Sequence, residues 1–227
     1  DLFDQQFDEK NRTILSLEEA VRNEISDRLV VLLDYIRSTL LEKSISLSNL
    51  SLDKALPNDL KSFLNKCKQG FDHSQGAETT NIVSFISKES KVVLDYKGNT
   101  NDKMISIKAS QQSMYDHFHI PESNKIGLVY HMNMATNVGK DGMVYAPYLK
   151  VSGGKIVDLE PVYLNPRQRE GKFIAPWDVN LGDSLVRCYH GERVITTPSE
   201  NIEYIEYSVL QTISLPTAMI PFLQFSE

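Results

Sequence analysis

The 227-residue chain has little cysteine, tryptophan, glycine or proline, and each scarcity excludes something. Two cysteines, Cys67 and Cys188, are too few to staple a small core with disulfides, and they point to a reducing compartment. Eleven glycines and nine prolines exclude a collagen-like or low-complexity chain. No apolar run approaches the ~18 residues of a bilayer-spanning helix, so no membrane partner is expected. The start, Asp1-Leu2-Phe3-Asp4, is acidic and carries no apolar leader, which predicts cytoplasmic residence. Positive charge is not in excess either. Against 24 Lys and Arg stand 30 Asp and Glu, a formal net charge of −6. That balance excludes a freestanding, sequence-independent DNA coat.

What is present is uneven. Residues 1–60 carry 7 basic and 12 acidic side chains, and residues 121–227 carry 9 and 12. Residues 61–120 reverse the balance with 8 and 6. If nucleic acid is met anywhere, Coulomb attraction favours this middle stretch. A small lysine excess is also what an ordinary solvated surface carries.

The first part reads as helix. Ser16 and Glu19 stand at capping-box spacing. Behind them Val21, Ile25, Leu29, Leu32, Leu33, Ile36 and Leu40 recur every three or four residues, an apolar stripe that needs a partner surface. Residues 44–51 are serine-rich and read as a loop. A second helix is expected after Pro57, with Leu60, Phe63, Leu64 and Cys67 on one face. There Cys67 is a core residue rather than a nucleophile. Residues 70–81 form a loop. Beyond them, alternation and short apolar runs predict strands at 82–86, 91–96, 104–108, 125–134, 143–151, 155–164, 172–179, 184–190 and 204–215. Turn signals such as Gly139-Lys140-Asp141-Gly142 separate them, suggesting antiparallel meanders. The expected fold class is α+β, an N-terminal helical portion followed by a β-rich portion.

Few short constellations carry chemistry. Asp95-Tyr96-Lys97 ends an apolar strand, and a carboxylate with a nearby lysine there can bind Mg²⁺ and activate water in a nuclease. That chemistry needs a second carboxylate, for which Asp72 or Glu78 could serve; a plain strand end is the other reading. His117 and His119 share a strand face with His131 not far on, but a zinc site needs three or four ligands and a supporting shell. Surface or loop histidines are the simpler reading. No Walker loop or dinucleotide fingerprint is present. Nor is there a cluster of alternating aspartates that would chelate paired Mg²⁺. No self-contained catalytic site is visible.

A longer pattern is more specific. Pro121-Glu122-Ser123-Asn124-Lys125-Ile126-Gly127-Leu128 resembles the T-P-E-G-x-N-I-G-L-I stretch of the β subunit of multisubunit, bacterial-type DNA-directed RNA polymerase. Ala146-Pro147-Tyr148-Leu149-Lys150-Val151 resembles its T-P-Y-R-K-V. Tyr163-Leu164, Phe173-Ile174-Ala175 and Ile205-Glu206-Tyr207-Ser208 follow in the family's order, and Ala218-Met219-Ile220-Pro221-Phe222-Leu223 resembles its S-L-I-P-F-L. Near the start, Glu19-Ala20-Val21-Arg22 resembles part of its R-x-E-x-A-V-x-E. The departures are equally specific. The family's H-K-R-R run and G-P-G-G-L loop have no clear counterpart; Ser87-Lys88-Glu89-Ser90-Lys91 and Tyr96-Lys97-Gly98-Asn99 stand in their place. Its H-P-x-H-Y-G-R becomes 108–114 without the arginine. The resemblance is thus to a divergent, partial β, of the kind that some large bacteriophages encode in split form; a plastid origin stays open.

This resemblance implies a subunit of a nucleotidyltransferase that makes RNA on a DNA template, with no catalytic residue and no metal ligand in this chain. Mg²⁺ would be bound by a partner subunit. Partners would be the remaining part of β, the β′ subunit or its fragments, template DNA and nascent RNA, in a bacterial host's cytoplasm. Residues 1–75 would form a helical fork-like portion. Residues 76–120 would form loops and short strands facing the nucleic-acid channel, and 121–227 a β-rich structural portion. The candidate nucleic-acid-binding residues are Lys88, Lys91, Glu122 and Lys125. Lys125 stands at the motif's asparagine, Glu122 at its glutamate, and Lys88 and Lys91 would replace the lost arginines. Each has a plain alternative as a surface side chain. The other readings of the whole chain are a freestanding Mg²⁺ nuclease at Asp95 and Lys97, and a non-enzymatic structural phage protein.

Overall fold

The computed structural model describes residues 9–43, 79–94, 108, 111–122 and 126–225. Of these, 15–43 belong to one compact unit, and 9–14 with 79–225 to another.

In the first unit, helix α1 spans Leu17–Lys43. The Ser16 backbone N–H donates to the Glu19 carboxylate at 3.1 Å, and the Glu19 N–H donates to the Ser16 hydroxyl at 3.2 Å. This is the reciprocal capping box that the spacing predicts. Arg22 pairs with Glu18 one turn away at 2.8 Å. Ile25, Leu29 and Leu33 of the apolar stripe are exposed. The expected loop at 44–51, the second helix with Cys67, and Asp72 and Glu78 lie outside the described residues. So do Asp95 and Lys97, and most of the expected strand at 104–108.

The second unit opens with a correction. Residues 82–86 were expected to form a strand; they begin a helix, α2, Ile82–Glu89. The cause is local. The Asn81 side chain accepts the Val83 N–H at 3.0 Å, capping the first turn. Apolar residues at 82, 83, 85 and 86 then satisfy a helical period as well as a short strand run. Strand β1 (Lys91–Val93) follows and pairs antiparallel with β2 (Val129–His131).

The main sheet contains β3 (Asn137–Val138), β4 (Val144–Ser152), β5 (Lys155–Ile156), β6 (Val162–Leu164), β7 (Phe173–Ala175), β8 (Leu185–His190), β9 (Arg193–Pro198) and β10 (Tyr204–Glu206). A short helix, α3, Pro166–Arg169, follows β6, and another, α4, Leu215–Ala218, follows β10. The strand order is β3-β4-β10-β7-β8-β9, with β5 and β6 also paired to β4. Most pairs are antiparallel, but β10 and β7 run parallel, so this is not a pure set of meanders. The α+β class holds. Several expected strands are shorter than the alternation suggested. The stretch at 155–164 divides into β5 and β6. That at 204–215 stops at Glu206, because the Ser208 and Gln211 side chains cap a 3₁₀ turn over Val209–Gln211. Strand β9 was not anticipated. It closes a hairpin with β8 across Gly191, whose φ of 58° a glycine adopts without strain.

Alternation assigns one apolar cluster to each face of the sheet. Val144, Ala146 and Tyr148 of β4, Leu164 of β6 and Ile174 of β7 pack with Met114 and Tyr115. On the opposite face Val151, Ala175, Val186, Cys188 and Ile205 pack with Ile202. Val92 and Tyr130 attach the β1–β2 ribbon to the first cluster. The segment 9–14 joins the same body, since Ile14 donates its N–H to the Gly142 carbonyl at 2.7 Å.

Candidate nucleic-acid interface

Lys88 lies in the last turn of α2 and Lys91 opens β1. Ser90 joins the two elements tightly. Its N–H donates to the Ile86 carbonyl at 3.0 Å, its hydroxyl donates to the Ser87 carbonyl at 3.2 Å, and its own carbonyl accepts the Met132 N–H at 2.7 Å. Lys88 is exposed and Lys91 half-buried. A cation in the last turn also suits the helix dipole, so Lys88 has a structural reason to be where it is.

The β1–β2 register places Lys91 directly opposite His131. The flanking bonds, Met132 N–H to Ser90 and Leu94 N–H to Leu128, make Lys91 and His131 a non-hydrogen-bonded pair, the geometry that brings side chains closest. His131 is buried, and its ring stacks on His119 with centroids 3.7 Å apart and planes 1° from parallel. Its Nδ1 lies 3.2 Å from the His119 carbonyl oxygen. Burial holds the His131 imidazole below its ordinary range, and the neighbouring His119 and Lys91 push the same way. His131 is therefore neutral near pH 7, and Lys91 supplies the positive charge at this point.

Parallel stacked rings do not converge on one ion. Among the described residues, no three His, Cys, Asp or Glu side chains gather to hold a metal. The buried carboxylates are already engaged. Asp116 accepts the backbone N–H groups of Phe118 and His119 at 2.7 and 3.1 Å through one oxygen. Through the other it accepts the Ser214 N–H and hydroxyl at 2.8 and 2.6 Å, and the Thr217 hydroxyl. Glu206 accepts the Ser113 hydroxyl. Neither fits the role of an Mg²⁺ ligand.

A groove of about 630 Å³ opens beside Lys91, between residues 11–14 and the β1–β2 ribbon. Tyr115, Tyr130 and Met132 are among the apolar residues that line it, and Arg12, Glu89 and Lys91 among the charged ones. Glu122 is exposed on a bend after Pro121. Lys125 lies outside the described residues, as does the Asp95–Lys97 pair of the nuclease reading. Lys88 and Lys91 thus flank the turn at Ser90, Lys91 lies opposite His131, and Glu122 stands three residues after the His119 that stacks on His131.

Sequence reasoning missed the polar network beneath this surface. Asn133 donates to the carbonyls of Ser113 and Gln211, both at 2.7 Å. Arg169 donates to the Gln112 carbonyl at 2.8 Å and lies 5.3 Å from the centre of the Tyr148 ring. One local signal existed: Asp116 two and three residues before the amides it caps is an Asx turn.

The chain is 25% identical to DNA-directed RNA polymerase subunit beta of Heterosigma akashiwo, an alignment covering 97% of this chain and 21% of the relative. The chain resembles a segment of the polymerase β subunit. It is 26% identical to the same subunit of Mycoplasmopsis pulmonis, over 96% of this chain and 19% of that protein. To the β subunit of a Synechocystis species it is 28% identical, over 96% and 21%. The chain therefore spans about a fifth of the length of the β subunits it matches. No protein-family model matches it. Among the described residues, no helix is long and apolar enough to cross a membrane.

Proposed function

We propose that this chain is part of the β subunit of a DNA-directed RNA polymerase and supports DNA-templated RNA synthesis by lining the channel beside the RNA–DNA hybrid. The observation that carries this reading is the similarity to β subunits along nearly the whole chain. Lys88 and Lys91 would face nucleic-acid phosphates, with Lys125 and Glu122 as further contacts. The fixed turn at Ser90 would hold the two lysines at a set spacing, which keeps the ordering cost of binding low. The two Mg²⁺ ions that stabilise nucleotidyl transfer would be held by β′. The rest of β and β′ would complete the enzyme, in a bacterial cytoplasm or with an infecting phage.

The test is capture of the tagged chain from its native source under mild conditions, followed by mass spectrometry of what is retained. The reading expects large polymerase subunits, one of them carrying an aspartate-rich metal motif. Recovery of the chain alone, or with capsid proteins, would reject it.

A further inference from the structure

Residues 115–119 lie against β2, and a pair of histidine rings closes the contact. Tyr115 bridges to Met132, and the Asp116 N–H donates to the His131 carbonyl at 2.8 Å. Further on, His119 returns to the same strand. Its ring stacks on that of His131 at 3.7 Å, and its carbonyl oxygen lies 3.2 Å from His131 Nδ1. A carbonyl oxygen can only accept, so His131 Nδ1 carries the hydrogen and Nε2 is left to take a further proton. His131 is 6% exposed. His119 Nδ1 is buried with no hydrogen-bond partner among the described residues, so no carboxylate reaches that nitrogen to stabilise a cation.

The charges acting on the pair come from two segments. On β1, Lys91 stands directly opposite His131 and disfavours a cation there. On the turn itself Asp116 favours one, but that carboxylate already serves the Phe118, His119, Ser214 and Thr217 donors. His117, next to Asp116, is held below its ordinary range by burial. From α4 and its cap, the groups that reach Asp116 are the neutral Ser214 and Thr217 hydroxyls. One proton on the stack is tolerable, because a cation is attracted to the face of a neutral ring. A second puts like charges face to face 3.7 Å apart in a buried site, where solvent screens them poorly. Separating the rings relieves that repulsion.

We propose that the His119–His131 stack is a proton-operated latch: closed near neutral pH, it opens in mild acid and frees residues 117–120, with the Pro121-Glu122 bend behind them, from the β1–β2 ribbon. The open form holds one proton more than the closed form. Opening therefore becomes about tenfold easier for each pH unit below the ordinary histidine range of ~6.5. The closed contact is complete above that range and weakens as pH falls through it. The latch does not depend on the polymerase reading, although Lys91 stands beside it.

The experiment follows amide hydrogen exchange of the full chain from about pH 7.5 to about pH 5, each rate corrected for the intrinsic pH dependence of exchange. The proposal expects protection over residues 117–120 to fall about tenfold per pH unit below ~6.5, while that over Val144–Ser152 holds. His119→Phe keeps a stacking ring and leaves Asp116 and His117 in place, but its ring takes up no proton. Its protection over 117–120 should stay level across the range, with melting temperature as the check that it folds. NMR titration of the parent needs no variant: the His119 and His131 rings should take up protons in two coupled steps, the second at the pH where protection falls. Level protection in the parent, the same fall in His119→Phe, or independent titration of the two rings would overturn the latch.

Discussion

The Asp116 carboxylate accepts both the backbone N–H and the hydroxyl of Ser214, at 2.8 and 2.6 Å, across 98 residues of chain. Ser214 is the N-cap of α4, so this carboxylate ties the turn that leads towards β2 to the start of the last helix. The pair is completely buried. An unpaired carboxylate there would be costly; five accepted hydrogen bonds make it a fastener.

Asp116→Asn keeps the shape and removes the charge, leaving Ser214 and Thr217 donors facing an amide. The expected cost is about 2–3 kcal/mol, the net worth of hydrogen bonds to a charged group. Burial pushes the Asp116 pKa up, but the bonds from Ser214, Thr217 and the backbone outweigh it and leave it below the ordinary aspartate value. Its contribution is therefore complete above the unfolded pKa and is lost as pH falls through the lower folded one. Urea melts from neutral to acid pH should show the parent losing its advantage over the variant at the acid end. A constant difference across that range would contradict the assignment.

Glu206 predicts the opposite slope. Burial raises its pKa, against the opposing pull of the Ser113 hydroxyl, Arg169 and the Trp177 N–H. Whatever stability the neutral carboxyl supplies is present at low pH and declines as pH rises through the raised value. Glu206→Gln removes that titration. The variant should gain on the parent as pH increases, read as the difference in Tm between acid and neutral buffers.

Gly142 tests how the segment 9–14 is held. Its φ is +74°, and a Cβ there would meet the Ile14 carbonyl oxygen at 2.8 Å. Gly142→Ala should cost about 1–3 kcal/mol from backbone strain alone. Limited proteolysis should then cut first near residues 9–14, whereas the parent resists there.

Lys88 and Lys91 carry the nucleic-acid reading at residue level. In the assembled enzyme, changing each to Ala should lower the salt dependence of nucleic-acid binding by about one ion and weaken binding for all sequences alike. Loss at one sequence only would mean base contact rather than phosphate contact.

The sequence made some of this legible and hid the rest for physical reasons. The start of α1 was readable because Ser16 and Glu19 are three residues apart and satisfy each other. Helix α2 was misread as a strand: its apolar residues fit both periods, and the deciding group, the Asn81 cap, lies outside the run. Strand β9 went unseen because exposed Arg193 and Thr196 break the apolar pattern that marks a strand. The fastener at Asp116 was invisible because Ser214 and Thr217 are about a hundred residues away, and only the fold brings them together. Of the candidate site, the order of motifs revealed the family resemblance. The opposition of Lys91 to His131 depended on register, which no local pattern specifies.

The most direct test places a photo-crosslinking amino acid at position 91 and assembles the tagged chain with its native partners on a DNA template. Labelled nucleotides are then added and the complex is irradiated. The account predicts template-dependent RNA synthesis by the complex, and label joined to this chain. RNA synthesis without label on the chain would contradict the placement of Lys91. A complex that makes no RNA, or a chain that assembles with no polymerase subunit, would contradict the function itself.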